Sequence, residues 1–276
     1  MEIKSFSKIN LTLRVLKKQK NGMHDIETNS ALVNLSDIID IKKNKRDKVI
    51  FKGKFKNKVN AKKNTIIDTL HILRRLKVLK YFYKIIVKKN IPVYAGLGGG
   101  TSNSAYIAKY FLKNKLNEKL INVFEKKVGS DFRLFLNNYS FQSTLGKVFK
   151  AKNNISSFVV IVYPNINCET KNIYREVKSF SLASGGLYLK KIGRKKFIEK
   201  IKEDRNDLQK IVEKKYSKIT SLIGLINDQD GCIFSRMTGS GSACYGLFKS
   251  KKTARLAMIK LKRKYPKYWC DITKTI

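Results

Sequence analysis

The chain has 276 residues and a formal net charge of +40, from 60 Lys+Arg against 20 Asp+Glu. This length is enough for one large domain or two modest ones, and the absence of any run of about 18 apolar residues excludes a transmembrane helix. Four scattered cysteines without a CxxC spacing and only two histidines argue against a zinc site or a disulfide framework.

The first predicted element is a half-buried strand over residues 8–16. In KINLTLRVL every second residue is apolar, while Lys8 and Asn10 lie between the apolar positions. This is the period of a strand with one buried face, so the two polar side chains point the same way, about 7 Å apart. A turn over 19–25 and a strand over 30–43 are predicted next.

The middle of the chain predicts helices around a glycine-rich loop. Apolar residues recur at helical spacing over 64–82, which indicates an amphipathic helix. A strand over 83–89 leads to the loop, and helices over 102–116 and 117–129 follow it, the second with Gly129 as its C-cap.

The second half begins with a buried strand over 156–164, after a soft boundary near residues 150–160. Helices are expected around 206–216 and 253–265, with a glycine-containing loop over 236–248. Because helices and strands are mixed without strict βαβ alternation, the pattern predicts an α+β fold with largely antiparallel sheets.

The stretch YAGLGGGTSNSA, residues 94–105, carries four glycines ahead of a predicted helix. The Walker A pattern fails because no Lys-Ser/Thr pair ends it, and the dinucleotide pattern fails because Thr101 stands where its third glycine belongs. A strand, a glycine loop and a helix start together suit a phosphate group, and we favour that interpretation over a tight turn without a ligand. A second such loop, MTGSGSA over 237–243, indicates a second phosphate site or the other side of one cleft.

Two charged residues have competing interpretations. Lys8 is either a solvated surface lysine or a functional cation on the first strand. Asp131, one of few acids, is either an N-cap for the segment that follows it or a catalytic carboxylate.

The motifs SKINLTL, NGMHDIET, IPVYAGLGGGTSNSA, VGSDF, RNDLQ and RMTGSGSACYGLF occur in this order along nearly the whole chain. Together they resemble the signature set of the GHMP kinases. The resemblance implies a two-lobed α+β fold, with an N-terminal ATP-binding lobe over 1–155 and a C-terminal ferredoxin-like lobe over 156–276. It also implies ATP-dependent phosphorylation of the 2-hydroxyl of a cytidine diphosphate methylerythritol, with homoserine- or mevalonate-type acceptors as the alternative.

The resemblance implies roles for individual residues. It makes Lys8 and Asp131 the catalytic pair, with Mg²⁺ as a second cofactor beside ATP and Ser102 as its candidate ligand. The implied ATP-binding residues are Gly96, Leu97, Gly98, Gly99, Gly100, Thr101, Ser102, Asn103 and Ser104. The implied substrate-binding residues are Asn10, His24, Thr170, Tyr174, Gly239, Ser240 and Gly241.

The chain departs from the pattern of these kinases in four places. Met23 stands where a tyrosine usually stacks on cytosine, and Arg133 replaces a proline two residues after Asp131. Tyr94 replaces a small residue ahead of the glycine loop, and SFSK over residues 5–8 replaces the usual SPAK.

The excess of lysine over arginine is spread over every segment, which favours AT-rich codon usage over a nucleic-acid role, since base readers favour arginine. A basic nucleic-acid-binding module that has lost catalysis therefore stays only a distant alternative. We expect a small anionic substrate, no specific nucleic acid, no membrane, and a monomer or weak homodimer. The N-terminus lacks a signal-type apolar segment, so a reducing, cytoplasmic location is expected.

Overall fold

The computed structural model describes residues 2–144 and 147–276. The chain forms two compact units from interleaved segments. The first unit holds the chain through Lys8 with Leu35–Val93 and Gly98–Asn137, and the second holds Ile9–Asn34, Tyr94–Leu97 and Asn138–Ile276. The lobe boundary predicted between residues 155 and 156 stays a prediction. It divides the chain once, whereas the two compact units are each built from segments that alternate along the chain.

The first unit combines strands with helices that follow and precede the glycine-rich loop. Its elements are the start of β1 (Glu2–Lys18), the end of β2 (His24–Asn44), β3 (Lys48–Lys52), α1 (Thr65–Arg75), β4 (Phe82–Lys88), α2 (Gly99–Phe111), α3 (Glu118–Val128), and 3-10 helices at Lys56–Lys58 and Phe132–Leu136.

Helix α1 shows how local signals set an element's bounds. Asn64 caps its start, because the side-chain oxygen accepts hydrogen bonds from the N–H groups of Ile66 and Ile67. The helix predicted over 64–82 is too long, since α1 ends at Arg75. Lys77 has a φ of 57° and closes the helix in the left-handed conformation of a C-terminal cap.

The strands of the first unit lead directly to the glycine loop. β4 pairs antiparallel with β2 and parallel with β3. At the end of β4, the buried Asp37 carboxylate accepts from the N–H groups of Asn90 and Ile91, at 2.8 and 2.9 Å, and forms an ion pair with Lys89. These bonds fix the chain where it turns towards the loop.

The second unit contains the first part of β2, most of β1 and all elements after residue 138. These elements are β5 (Tyr139–Thr144), β6 (Lys147–Lys150), β7 (Phe158–Tyr163), α4 (Thr170–Arg175), a 3-10 helix (Leu187–Leu189), α5 (Arg194–Glu203), α6 (Asp207–Lys215), α7 (Ser217–Asn227), β8 (Cys232–Met237), β9 (Cys244–Phe248), α8 (Lys251–Lys264) and β10 (Trp269–Lys274).

A four-stranded antiparallel sheet, in the order β10-β7-β9-β8, organises the second unit. The β7 sequence FVVIVY is buried along almost its whole length, as its uninterrupted apolar run predicts. Apolar residues of α6, α7 and α8 are buried in the same cluster as those of β7 and β9. The predicted α+β fold with largely antiparallel sheets is confirmed. Within the described ranges, no helix has both the length and the apolar character needed to cross a membrane.

Candidate active site

The part of the glycine loop that belongs to the first unit begins at Gly98 and leads into the N-terminus of α2. The helix begins at Gly99, earlier than the predicted residue 102, and its N-cap is Gly98 with a left-handed φ of 69°. A Cβ atom at Gly98 would lie 2.6 Å from Cζ of Phe135 and 3.4 Å from Cε of Lys8, so only glycine fits. The N–H groups of Gly99 to Thr101 precede the first helical bond and are available to an anion.

Lys8 and Asp131 meet in the same unit. The Lys8 Nζ atom lies 3.4 Å from Oδ2 of Asp131, and the side chains are 3% and 33% exposed, respectively. Lys8 is therefore not a solvated surface lysine. Asp131 occupies the N-cap position of the 3-10 helix Phe132–Leu136, but its side chain makes no capping hydrogen bond. The carboxylate faces the ammonium group of a lysine whose Cε atom lies against Gly98.

The hydroxyl groups of α2 have mainly structural contacts. Ser102 Oγ, which is fully buried, donates to the Phe6 carbonyl at 2.5 Å and lies 2.7 Å from Ser5 Oγ. Ser104 Oγ donates to the Thr65 carbonyl at 2.9 Å. These bonds fasten α2, and they give no support to Ser102 as a magnesium ligand. The side-chain oxygen of Asn103 is buried without a hydrogen-bond partner in the described part of the chain.

In the second unit, Asn10 belongs to a buried polar network. Its side-chain amide donates to Thr28 Oγ1 at 2.9 Å, and its backbone N–H donates to Thr238 Oγ1 at 3.0 Å. Asn10 is 2% exposed. These contacts tie β1 to β2 and to the second glycine loop, so a contact of Asn10 with substrate stays a prediction.

His24, also in the second unit, lies beside two aromatic rings. The imidazole and Tyr174 ring centroids are 5.2 Å apart, and those of His24 and Phe180 are 6.4 Å apart. Burial, followed by the positive charge of Lys18, lowers the pKa of His24 below its ordinary value. The neutral imidazole offers one donor and one acceptor nitrogen, which can read the edge of a base.

Phe180 was not identified from the sequence. Phe180 is 48% exposed, and Met23 is 43% exposed. The segment around Phe180 has no helical or strand period, so the sequence carries no signal that the ring lies near His24. An exposed aromatic ring next to an imidazole can pack on a planar ligand.

The second glycine loop is held by the asparagine of the NDL motif. Asn206 donates from its side-chain amide to the carbonyls of Met237 and Gly239, both at 2.8 Å, while its oxygen caps α6 at Leu208. Thr170 Oγ1 lies 2.9 Å from Ser240 Oγ. The predicted residues Thr170 and Ser240 are thus brought together.

Gly96 and Gly241 fit tight places beside this second loop. A Cβ atom at Gly96 would lie 2.1 Å from the Thr238 carbonyl oxygen, and one at Gly241 would lie 2.7 Å from Sδ of Met237. Both glycines also have positive φ values, 75° and 85°. Close packing and backbone conformation therefore both require glycine here.

Known structures share the architecture of this protein. The crystal structure of a 4-(cytidine 5'-diphospho)-2C-methyl-D-erythritol kinase matches with a TM-score of 0.78 at 21% identity, covering 100% of both chains. Homoserine kinase from Cytophaga hutchinsonii matches with a TM-score of 0.70 at 16% identity, covering 100% of this chain and 95% of that one. Residues 189–267 match the family model described as GHMP kinases C terminal. The fold of this chain is therefore the one found in these small-molecule kinases.

Sequence relatives narrow the class further. The 4-diphosphocytidyl-2-C-methyl-D-erythritol kinase of Pelagibacter ubique is 35% identical over 284 residues, covering 100% of this chain and 99% of the relative. That of Caldanaerobacter subterraneus is 30% identical over 283 residues, covering 100% of this chain and 97% of the relative. The chain belongs to the family of 4-diphosphocytidyl-2-C-methyl-D-erythritol kinases. Membership makes ATP its phosphoryl donor, and the nucleic-acid-binding alternative is not favoured.

Proposed function

We propose that this kinase transfers the γ-phosphoryl group of ATP to the 2-hydroxyl of 4-diphosphocytidyl-2-C-methyl-D-erythritol. The relatives named for this reaction support the choice of acceptor. The observation that carries the chemistry is the 3.4 Å contact between Lys8 Nζ and Asp131 Oδ2, with Lys8 against the glycine at the start of α2.

The proposed mechanism divides the chemical work between these groups. The α2 N–H groups hold phosphate oxygens, so the γ-phosphoryl group is presented in line with the acceptor. Asp131 orients the acceptor hydroxyl and accepts its proton as the new O–P bond forms. Lys8 stabilises the negative charge that develops on the reacting oxygens. The bond from the γ-phosphorus to the bridging oxygen breaks, and ADP leaves.

Magnesium fits this site as a partner of the nucleotide. Among the described residues there is no group of three or more metal-ligating side chains, whereas Mg²⁺ is usually held by substrate phosphates with one or two carboxylates. Asp131 is the carboxylate beside the loop that could contribute. When bound, the ion neutralises charge on the phosphate oxygens.

Residues of the second unit are proposed to recognise the acceptor. His24, with its lowered pKa, reads the cytosine edge as a neutral imidazole, and Tyr174 and Phe180 offer ring faces beside it. Phe180 supplies an aromatic surface in a chain that has Met23 in place of the usual tyrosine. Thr170 and the loop Gly239–Gly241 are proposed to contact the remainder of the acceptor.

The test is an acceptor panel. Purified protein with ATP and Mg²⁺ is given 4-diphosphocytidyl-2-C-methyl-D-erythritol, homoserine or mevalonate, and ADP release is measured with product identification by phosphorus NMR. Turnover with the cytidine compound alone supports the proposal. Preferred turnover of either other alcohol refutes the choice of acceptor, and no ADP release with any of them refutes the kinase assignment of this site.

A further inference from the structure

Arg133 lies two residues after Asp131 in the sequence, and its side chain is buried. It is 7% exposed and lies on the 3-10 helix Phe132–Leu136 that Asp131 precedes. Burial of a guanidinium is costly unless its donors are satisfied. Its contacts therefore show what the position is built to hold.

The Arg133 fork donates to three residues of α3. Nε donates to Glu125 Oε1 at 3.0 Å, Nη1 to Glu118 Oε2 at 2.5 Å and Nη2 to Asn122 Oδ1 at 2.7 Å. Positions 118, 122 and 125 share one face of a helix. The planar fork therefore fixes both the distance and the rotation of the 3-10 helix relative to α3.

Other contacts make this junction stiff on both sides of Asp131. The rings of Phe124 on α3 and Phe132 stack at 4.8 Å with an interplanar angle of 4°. The Phe132 N–H donates to the Gly129 carbonyl at 3.0 Å. From α2, Lys109 Nζ donates to the Phe135 carbonyl at 2.7 Å. The backbone that carries Asp131 is thus attached to α3 at one end and to α2 at the other.

The fork also balances charge near the reacting group. Burial raises the pKa of Glu125, the charge and hydrogen bond of Arg133 lower it, and the negative charges of Glu118 and Asp131 raise it again. Glu125 therefore interacts electrostatically with both Glu118 and Asp131. Without the guanidinium, Glu125, whose side chain is 14% exposed, would lose its ion-pair partner, whereas Glu118, at 76% exposed, would stay hydrated.

We propose that Arg133 is a positioning residue for phosphoryl transfer, which holds the Asp131 carboxylate at Lys8 by clamping the 3-10 helix to α3. This inference rests on the proposed function. It predicts that kcat falls when the clamp is removed, because a displacement of about 1 Å at a reacting group lowers turnover by about 10²-fold. Arg133 itself does not contact the substrates in this scheme.

The experiment separates positioning from stability. Arg133→Met is compared with the triple variant Arg133→Met, Glu118→Gln, Glu125→Gln, in which no carboxylate is left unpaired, and with Arg133→Lys. Arg74→Met is the matched control, because Arg74 pairs with Asp47 at 2.7 Å in the same unit but on a more exposed surface. Thermal midpoints are measured by circular dichroism, and kcat and KM for ATP are measured well below each midpoint.

We expect the triple variant to recover the thermal midpoint that Arg133→Met loses, while its kcat stays about 10²-fold below wild type and its KM for ATP changes about twofold or less. The kcat of Arg133→Lys should lie between those of the wild type and the triple variant, since one ammonium cannot replace the three-bond fork. Arg74→Met should leave kcat unchanged. If Arg133→Met does not fold, the triple variant carries the test alone.

Two failures are distinguishable. Wild-type kcat in the folded triple variant overturns the positioning role while leaving the kinase function intact. Absence of turnover in the wild-type protein with every acceptor overturns the proposed function first, and with it the role of Arg133.

Discussion

At the scale of single residues, Asp131 stands at the start of a 3-10 helix yet makes no capping hydrogen bond there. An aspartate at such a position ordinarily satisfies backbone N–H groups. Here the carboxylate is turned towards the buried ammonium of Lys8 instead. The Asp131 side chain thus forms an ion pair beside the glycine loop in place of a capping bond, which supports the proton-accepting role that we propose for it.

This arrangement predicts the effect of Asp131→Asn. The amide keeps the size of the side chain but cannot accept the hydroxyl proton, so kcat should fall by about 10²- to 10⁴-fold with a small change in KM. The measurement is steady-state ADP release at saturating substrates. Asp230→Asn, at a side chain that is 91% exposed, is the control and should keep wild-type turnover. Wild-type kcat in Asp131→Asn would show that the carboxylate takes no part in the reaction.

His24 predicts a pH dependence of acceptor binding. Its pKa is lowered, first by burial and then by Lys18, so the imidazole is neutral at every pH above its ordinary value of about 6.5. KM for the cytidine acceptor should be constant from about pH 7 to 8 and rise only once the pH falls below the lowered pKa of His24, where the imidazole gains a proton and loses its acceptor nitrogen.

Protonation of His24 also lowers the stability of the fold, just as we expect it to weaken acceptor binding. The folded state has the lower pKa and the unfolded state binds the proton first, so stability falls as the pH drops through the unfolded value.

His24→Gln keeps a donor and an acceptor at all pH values, and its KM profile should be flat in this range. A profile like that of wild type in His24→Gln would mean that another group titrates.

At the scale of elements, the glycine-rich loop shows how far sequence patterns reach. The run of glycines and the following helix predict a phosphate-binding helix start. The beginning of α2 at Gly99 does not follow from the pattern, because glycine ordinarily weakens a helix. A Cβ atom at Gly99 would lie within 3.4 Å of Ile91 and Lys89, so the position favours glycine for a reason that only the folded chain shows.

The two neighbouring glycines Gly98 and Gly100 give a matched pair of variants. Gly98→Ala places a methyl group 2.6 Å from Phe135 in a backbone of φ 69°, so the free energy of unfolding should fall by at least about 1–2 kcal/mol. Its KM for ATP should rise at least about tenfold. Gly100→Ala meets only Thr65, at 3.5 Å, and should gain about 0.5–1 kcal/mol as a helical residue.

Urea denaturation and nucleotide titration measure both effects of these glycine variants. Equal stability of Gly98→Ala and Gly100→Ala would contradict the close approach of Phe135 and Lys8 to the loop.

Long-range placement accounts for what the sequence could not predict at this scale. The strands β1, β2, β4 and β7, and helices α2, α3 and α8, carry clear periodicity and were predicted. Helix α5, with its sequence RKKFIEKIKE, buries only Phe197 and Ile201. Two apolar residues among so many charged ones do not give a clear helical period in the sequence. The Arg133 clamp depends on three residues of α3, and a charge pattern alone does not show which partner an arginine chooses.

At the scale of the whole molecule, the net charge of +40 has to be reconciled with a kinase of small anions. The lysines are spread along the chain, and their combined field raises the local concentration of negatively charged ligands regardless of where a site lies. ATP and the diphosphate acceptor both carry such charge. We therefore expect the high lysine content to act on association with the substrates, whereas the proposed chemistry depends on Lys8 and Asp131.

This view predicts a salt effect confined to binding. The Debye length falls from about 30 Å at 0.01 M salt to about 8 Å at 0.15 M, so KM for ATP should rise several-fold over this range. The kcat value should change little, because the contact of Lys8 with Asp131 is short and the ammonium is 3% exposed. Initial rates across a sodium chloride series measure both constants, with sucrose at equal osmolality as the control. A KM that is independent of salt would mean that the charge of the chain has no part in substrate capture, and a parallel fall in kcat would place the effect at the catalytic pair.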